Sequence, residues 1–265
     1  MSLSIYRLVA LFLLLLLSGC ATGPDDDPKD PLEPLNRPLW TFTYDYADKY
    51  VARPVSLTYG EYMPIFMRTG LYNMVQNLNE PSTFVNHLLV LNFEEAAKTS
   101  GRFVLNSTIG VLGFYDPAAD FDWARNEKEF GEVLGRYGVP DGPFLVIPGY
   151  KATSVREEVG DFIDEYYWPY TLFGFWPSLA FWGINAMENR IALVEQEPLL
   201  EDAFDQYEFV KNAYFQNMKY KVWDGNPPVE ELPEDDEDFE NFLDEMDDFE
   251  SYDDTEEPSS ETSDN

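Results

Sequence analysis

The sequence predicts a mostly α-helical protein, folded as one compact domain with irregular Gly- and Pro-rich loops and a disordered acidic tail. Two long stretches place apolar or small residues every three or four positions, the period of a helix. Strand signals are few, with Phe144 to Ile147 the one short apolar run. No internal repeat is visible and no Gly/Ser linker divides residues 31–223. A chain of 265 residues with 45% hydrophobic and 16% aromatic content has ample material for a single core.

Charge excludes whole classes of function. Fifty Asp and Glu stand against 17 Lys and Arg, a net charge of −33, and a surface this acidic repels phosphate backbones, so nucleic acid is not a partner. One Cys cannot form an internal disulfide, and one Cys with one His cannot build a Cys/His zinc cage.

The N-terminus reads as an address. Arg7, an apolar run from Leu8 to Leu17, and then Ser18 and Gly19 describe a signal peptide over residues 1–19. The run is shorter than the roughly 20 apolar residues that a membrane span needs. Leu17-Ser18-Gly19-Cys20 resembles a bacterial lipobox, which makes Cys20, the only cysteine, the expected lipid attachment site. A diacylglyceryl group on its thiol and an acyl chain such as palmitate on its amine would be a permanent tether, since each buried CH₂ contributes about 0.8 kcal/mol. Ala21, where inner-membrane retention favours Asp, directs such a lipoprotein to the outer membrane. Residues 20–30 then form the lipidated Cys and a flexible stalk.

In the body, residues 31–223, the first helix is marked from Phe93 by a stripe of Ala96, Ala97, Ser100, Phe103, Val104, Ser107 and Val111. Gly131, Gly135, Gly138 and Gly142 lie in a turn-rich stretch and read as turns and close packing rather than a phosphate cradle. From Tyr166 to Met187 the chain holds no formal charge and nine aromatic rings, with Pro169, Gly174, Pro177 and Gly183 expected to break it. Broken backbone cannot face lipid deep in a bilayer, and Tyr and Trp favour the headgroup level. This segment is therefore expected to lie in one leaflet or to line an amphipathic conduit, with an ordinary aromatic core as the alternative. Phe173, Trp176, Phe181 and Trp182 are its candidate membrane or lipid-channel residues.

A second helix is expected from Pro198 to about residue 222, acidic at its start and basic at its end, with Leu200, Ala203, Phe204, Tyr207, Val210, Tyr214 and Met218 as its stripe. The tail, residues 224–265, holds 20 acids and no Lys or Arg, a disordered composition. Within it Phe239, Phe242, Leu243, Met246 and Phe249 recur at helical spacing, which suits either transient docking on a partner or a solvated brush.

Catalysis is not expected. No Gly-x-Ser-x-Gly elbow occurs, and His87 sits in an apolar stretch where a structural imidazole is the expectation. Asp116, Asp120 and Asp122 lack the spacing of an EF-hand loop, and Glu157-Glu158 reads as a solvated face. No metal and no cofactor beyond the acyl chains is implied. The recurring Asn36, Arg37, Asn73, Asn77, Asn86, Arg102 and Asn106 read as side chains that close irregular backbone, with phosphate contact as the alternative.

Several ordered motifs carry a resemblance. They run through Asp30-Pro31-Leu32-Glu33-Pro34-Leu35-Asn36-Arg37, then Arg68, Asn73, Asn77-Leu78, Pro81 and Asn86, then Gly101-Arg102-Phe103 and Asn106 to Gly110. The densest part is Phe130-Gly131, Leu134-Gly135, Gly138-Val139 and Gly142-Pro143-Phe144-Leu145, followed by Pro148, Arg156, Gly160-Asp161 and Ala213 to Gln216. Together they are similar to the MlaA (VacJ) family of outer-membrane lipoproteins. The resemblance implies a ring-like helical domain in the inner leaflet of the outer membrane, held beside a trimeric porin. It further implies that phospholipids astray in the outer leaflet enter an amphipathic channel and pass to a soluble periplasmic lipid-carrier protein. On that reading the 198–222 helix is the candidate porin-facing element, through Tyr207, Tyr214 and Met218. The alternative is a structural lipoprotein that scaffolds an envelope complex without moving lipid.

Replacing Cys20 by Ser should abolish incorporation of labelled palmitate and release the protein from the membrane fraction. Retention of both label and membrane association would overturn the lipobox assignment.

Overall fold

The computed structural model describes residues 27–228, and the compact unit to which nearly all of them belong ends at Asn226. Cys20 and the acidic stripe at 239–249 lie outside the described residues. The body is helical. Helix α1, Glu33–Thr41, opens with Pro34 in its first turn, where the missing N–H removes no bond. It runs into a π-helical stretch, Phe42–Ala52, and on into α2, Arg53–Tyr62, with Pro54 at the return to α-helical pairing. Pro64 interrupts the chain before α3, Ile65–Leu89, the longest helix.

The turn after α3 passes through Leu91 at φ 61° to Asn92, whose side chain accepts from the Glu95 amide at 3.3 Å and caps α4, Phe93–Thr108. Helices α3 and α4 form the most extensive helix pair of the body. Helix α5, Phe130–Arg136, leads to a two-stranded antiparallel hairpin, β1 Phe144–Ile147 and β2 Lys151–Ser154, with Phe144 opposite Ser154 and Ile147 opposite Lys151. Gly149, at φ +72°, supplies the left-handed turn that joins the strands. The sequence shows the first strand; the second, Lys-Ala-Thr-Ser, has no alternating apolar pattern to reveal it.

Ser154 caps α6, Val155–Asp164, by accepting from the Glu157 amide at 3.3 Å. Gly131 of α5 and Gly160 of α6 let the two helices meet backbone to backbone, since a Cβ on Gly160 would lie 2.2 Å from the Gly131 nitrogen. After a 3₁₀ turn at Tyr170–Leu172 the aromatic segment enters α7, Phe175–Ala192. Two of the four expected breaks fail to break it. Pro177 falls in the first turn, where no intrahelical donor is lost, and Gly183 lies within the helix with no neighbouring atom within 4 Å of where a Cβ would sit. Among the described residues no helix is long and apolar enough to cross a membrane.

The expected 198–222 helix is two. Helix α8, Glu197–Glu201, ends short, and α9, Gln206–Val222, starts afresh at Asp205, whose carboxylate accepts from the Tyr207 and Glu208 amides at 3.0 and 3.1 Å. The cap wins because Asp satisfies two orphan amides there, and Phe204, expected on the apolar stripe, is left fully exposed.

The apolar stripe expected on α4 points the wrong way for an ordinary soluble protein. Phe93, Ala97, Ser100, Val104 and Val111 are exposed, while α4 buries Ala96, Thr99, Arg102 and Asn106. The pattern holds across the described residues: 19 buried polar or charged side chains outnumber nine buried hydrophobic ones, and apolar side chains such as Ile65, Phe66, Phe175 and Trp176 face outward. A small apolar core remains where Phe144, Val146 and Tyr207 pack with Leu39, Trp40 and Phe215.

Gly160→Ala should destabilise the fold by about 1–3 kcal/mol through overpacking against α5. Gly183→Ala should instead be neutral or stabilising by up to about 1 kcal/mol, because the Cβ meets nothing and helix propensity rises. Chemical unfolding of both variants checks the contrast, and equal effects would refute the close-approach argument.

Candidate functional site

The side chains that recur as Asn and Arg along the sequence build the interior. Asn36 donates to Asp30 Oδ1 at 2.8 Å and to the Phe144 carbonyl at 2.9 Å, and accepts from the Val146 amide at 3.1 Å, tying α1 to the hairpin. Asn86 donates to the Lys128 carbonyl and to Asp164 Oδ1, both at 2.9 Å. Arg102 donates to Glu80 at 3.2 Å, to Asp116 at 2.9 Å and to the Trp123 carbonyl. Asn106 donates to Asp116 at 2.8 Å and accepts from the Ala118 amide. These groups close backbone and hold buried carboxylates, as the sequence reading favoured. His87 is fully buried, with Nε2 2.9 Å from the Asn126 carbonyl, a structural imidazole.

This framework leaves a cavity of about 600 Å³ with two unlike walls. Tyr150, Tyr170, Phe181 and Trp182 make an aromatic side, with Tyr150 and Trp182 rings 5.7 Å apart and Tyr170 donating to Asn79. The other side is ionic and comes from α6, the segment before α5, and the end of α9. On α6 the acids Glu157, Asp161 and Asp164 are spaced by four and three residues, which puts them on one face. The sequence held that signal, yet Glu157 and Glu158 were expected to be solvated. Glu157 is instead buried, and Glu158 pairs with Lys151 at 3.0 Å, because α6 turns this face toward α5 and the cavity.

The ionic wall is unevenly neutralised. Lys221 lies 2.8 Å from Glu129 and 3.3 Å from Glu132; burial works against its charge, but those carboxylates hold its pKa above the usual lysine range. Lys151 is shared between Glu158 and Asp161. Among the described residues no cation pairs directly with Glu157, and burial followed by the nearby Glu129 charge pushes its pKa up to about 8 against the more distant pull of Lys221 and Lys151. Burial also raises Asp164 to about 6, against the opposing pull of the Phe130 amide at 2.7 Å and the Asn86 amide group.

The four channel candidates part company. Phe181 and Trp182 line the cavity. Phe173 does not line it, and its ring is edge-on to Phe181 at 5.1 Å. Trp176 is outside, 76% exposed, with its ring edge-on to Phe175. The porin-facing expectation needs correction for Tyr207 and Met218, which are buried within the protein's own fold, and Tyr214 packs on Phe144. The exposed face of α9 carries Phe209 and Tyr220 instead. The periodicity marked a stripe correctly, but the stripe packs inward on β1 and α5.

An apolar exterior, a polar interior and an aromatic-and-ionic cavity define a helical protein suited to a lipid–water boundary. The family model for MlaA lipoproteins matches residues 28–221, and the chain belongs to that family. Similar proteins include the intermembrane phospholipid transport system lipoproteins MlaA of Haemophilus influenzae, 34% identical over 86% of this chain and 95% of the relative, and of Escherichia coli, 36% identical over 86% and 93%. A solved structure from work on the structural basis for maintenance of bacterial outer membrane lipid asymmetry matches with a TM-score of 0.70 at 36% identity, covering 73% of this chain and 98% of that one.

Asp164 binds its proton more tightly folded than unfolded, so its contribution to stability is full below about pH 4 and is lost as pH rises toward 6. Asp164→Asn should remove that part of the pH dependence. It should also cost about 1–3 kcal/mol, since one of the two N–H donors aimed at the carboxylate would face an NH₂. Thermal unfolding of both proteins between pH 4 and 8 checks this, and parallel curves would refute it.

Proposed function

We propose that this protein is an outer-membrane lipoprotein, tethered through acyl chains on Cys20, that moves phospholipid out of the outer leaflet and hands it to a soluble periplasmic carrier. The reversed partition of side chains carries this reading. Apolar groups on the outside of the described residues suit hydrocarbon, while buried Arg102, Asn86 and Glu157 keep the inside polar. A headgroup therefore has a polar path beside an aromatic wall, and acyl chains have the apolar surroundings that an amphipathic lipid needs. The names of the relatives, which specify intermembrane phospholipid transport and no reaction, support the same assignment. So does the membership of the MlaA lipoprotein family.

A trimeric porin belongs to this proposal as the partner that holds the protein in place. Phe209 and Tyr220 are the large hydrophobic residues that α9 leaves exposed to meet it.

Photocrosslinking in cells tests the lipid path, with a reactive residue placed in turn at Phe173, Trp176, Phe181 and Trp182. Phospholipid adducts at Phe181 and Trp182, the two that line the cavity, are the expected outcome. Adducts to protein alone at both positions would favour a scaffolding lipoprotein that moves no lipid.

A further inference from the structure

The ionic wall of the cavity holds an arrangement that lipid passage does not require. One carboxylate oxygen from each of Glu129, Glu157 and Asp161 lies within 4.8 Å of the other two. Two oxygens bound to one Ca²⁺ at 2.3–2.6 Å are at most about 5 Å apart, a limit that these three atoms meet. Glu157 is 7% exposed, and its Oε2 takes no hydrogen bond from any donor. Gly131 makes the room, since a Cβ there would sit 2.8 Å from that same oxygen.

The local cations do not balance the acids. Lys221 is divided between Glu129 and Glu132, Lys151 between Asp161 and Glu158, and Glu157 has neither. Glu129 and Glu157 lie side by side and are joined by a side-chain hydrogen bond, and two neighbouring buried carboxyl groups are costly unless they share a proton or a cation. An all-oxygen, acidic donor set selects a hard divalent ion over the softer transition metals.

We propose that Glu129, Glu157 and Asp161 form a site for a hard divalent cation such as Ca²⁺ on the polar wall of the cavity. On the lipid-path reading above, the ion offsets the carboxylates there and makes the cavity tolerant of an anionic headgroup. The ion site itself is independent of that reading.

Tb³⁺ luminescence on the full-length protein in detergent tests the site. Excitation through tryptophan reports ions near any of the six tryptophans, among them Trp182 in the cavity and Trp223 beside the acidic tail, so variants of the three acids assign the signal to the site. The expected result is a saturable signal displaced by Ca²⁺. Glu157→Gln should weaken it roughly tenfold or more, the scale seen on losing even an outer-shell partner. Asp161→Asn and Glu129→Gln carry the same comparison should Glu157→Gln not fold by circular dichroism. Glu94→Gln, at an exposed position of α4, should leave the signal unchanged. No saturable signal in the unaltered protein, or equal affinity in the folded variants, would overturn the proposal. Lipid adducts at Phe181 and Trp182 without ion binding would leave the lipid path standing and remove only the ion site. Ion binding without lipid adducts would do the reverse.

Discussion

A polar interior has to be satisfied atom by atom, and Arg102 shows how this one is. Its guanidinium is 5% exposed and reaches Glu80, Asp116 and the Trp123 carbonyl, so one side chain ties α3, α4 and the loop beyond α4 together. A buried charge left without partners would cost several kcal/mol. The helices are therefore held to a geometry in which the fork of Arg102 and the amides of Asn86 and Asn106 all find acceptors. Apolar packing, which usually fills that role, supplies nine buried side chains among the described residues, three of them in the cluster around Phe144.

That constraint explains the surface. Once the inward positions of α4 are taken by Thr99, Arg102 and Asn106, the apolar residues between them have only the outside to occupy. An exterior with Ile65, Phe66, Phe175 and Trp176 exposed would promote association in water, and a lipid environment removes the penalty. The same logic gives the cavity its two walls: α7 contributes rings from an aromatic-rich helix with no buried residue, and α6 contributes the acids of its inward face.

Much of this was legible beforehand in the residues. Helical class, strand β1, the structural His87, the closing role of the Asn and Arg side chains and the close packing at Gly131 follow from period, composition and spacing. The four-and-three spacing of Glu157, Asp161 and Asp164 also marked one face of a helix. Periodicity could not say which face points inward. It therefore left the outward orientation of the α4 stripe unread, and the expectations that Glu157 is solvated and that Tyr207 and Met218 face a porin fail because these side chains are buried.

The sequence by itself determined where helices start and stop wherever a local group satisfies an orphan amide, as Asn92, Ser154 and Asp205 do. It also determined, through its ordered motifs, the family to which the chain belongs. Only the tertiary structure decided which side of each amphipathic helix is the interior. A stripe of alternating character is compatible with either solvent, and the choice is made by partners distant in sequence, such as Arg102 with Glu80 and Asn86 with Asp164.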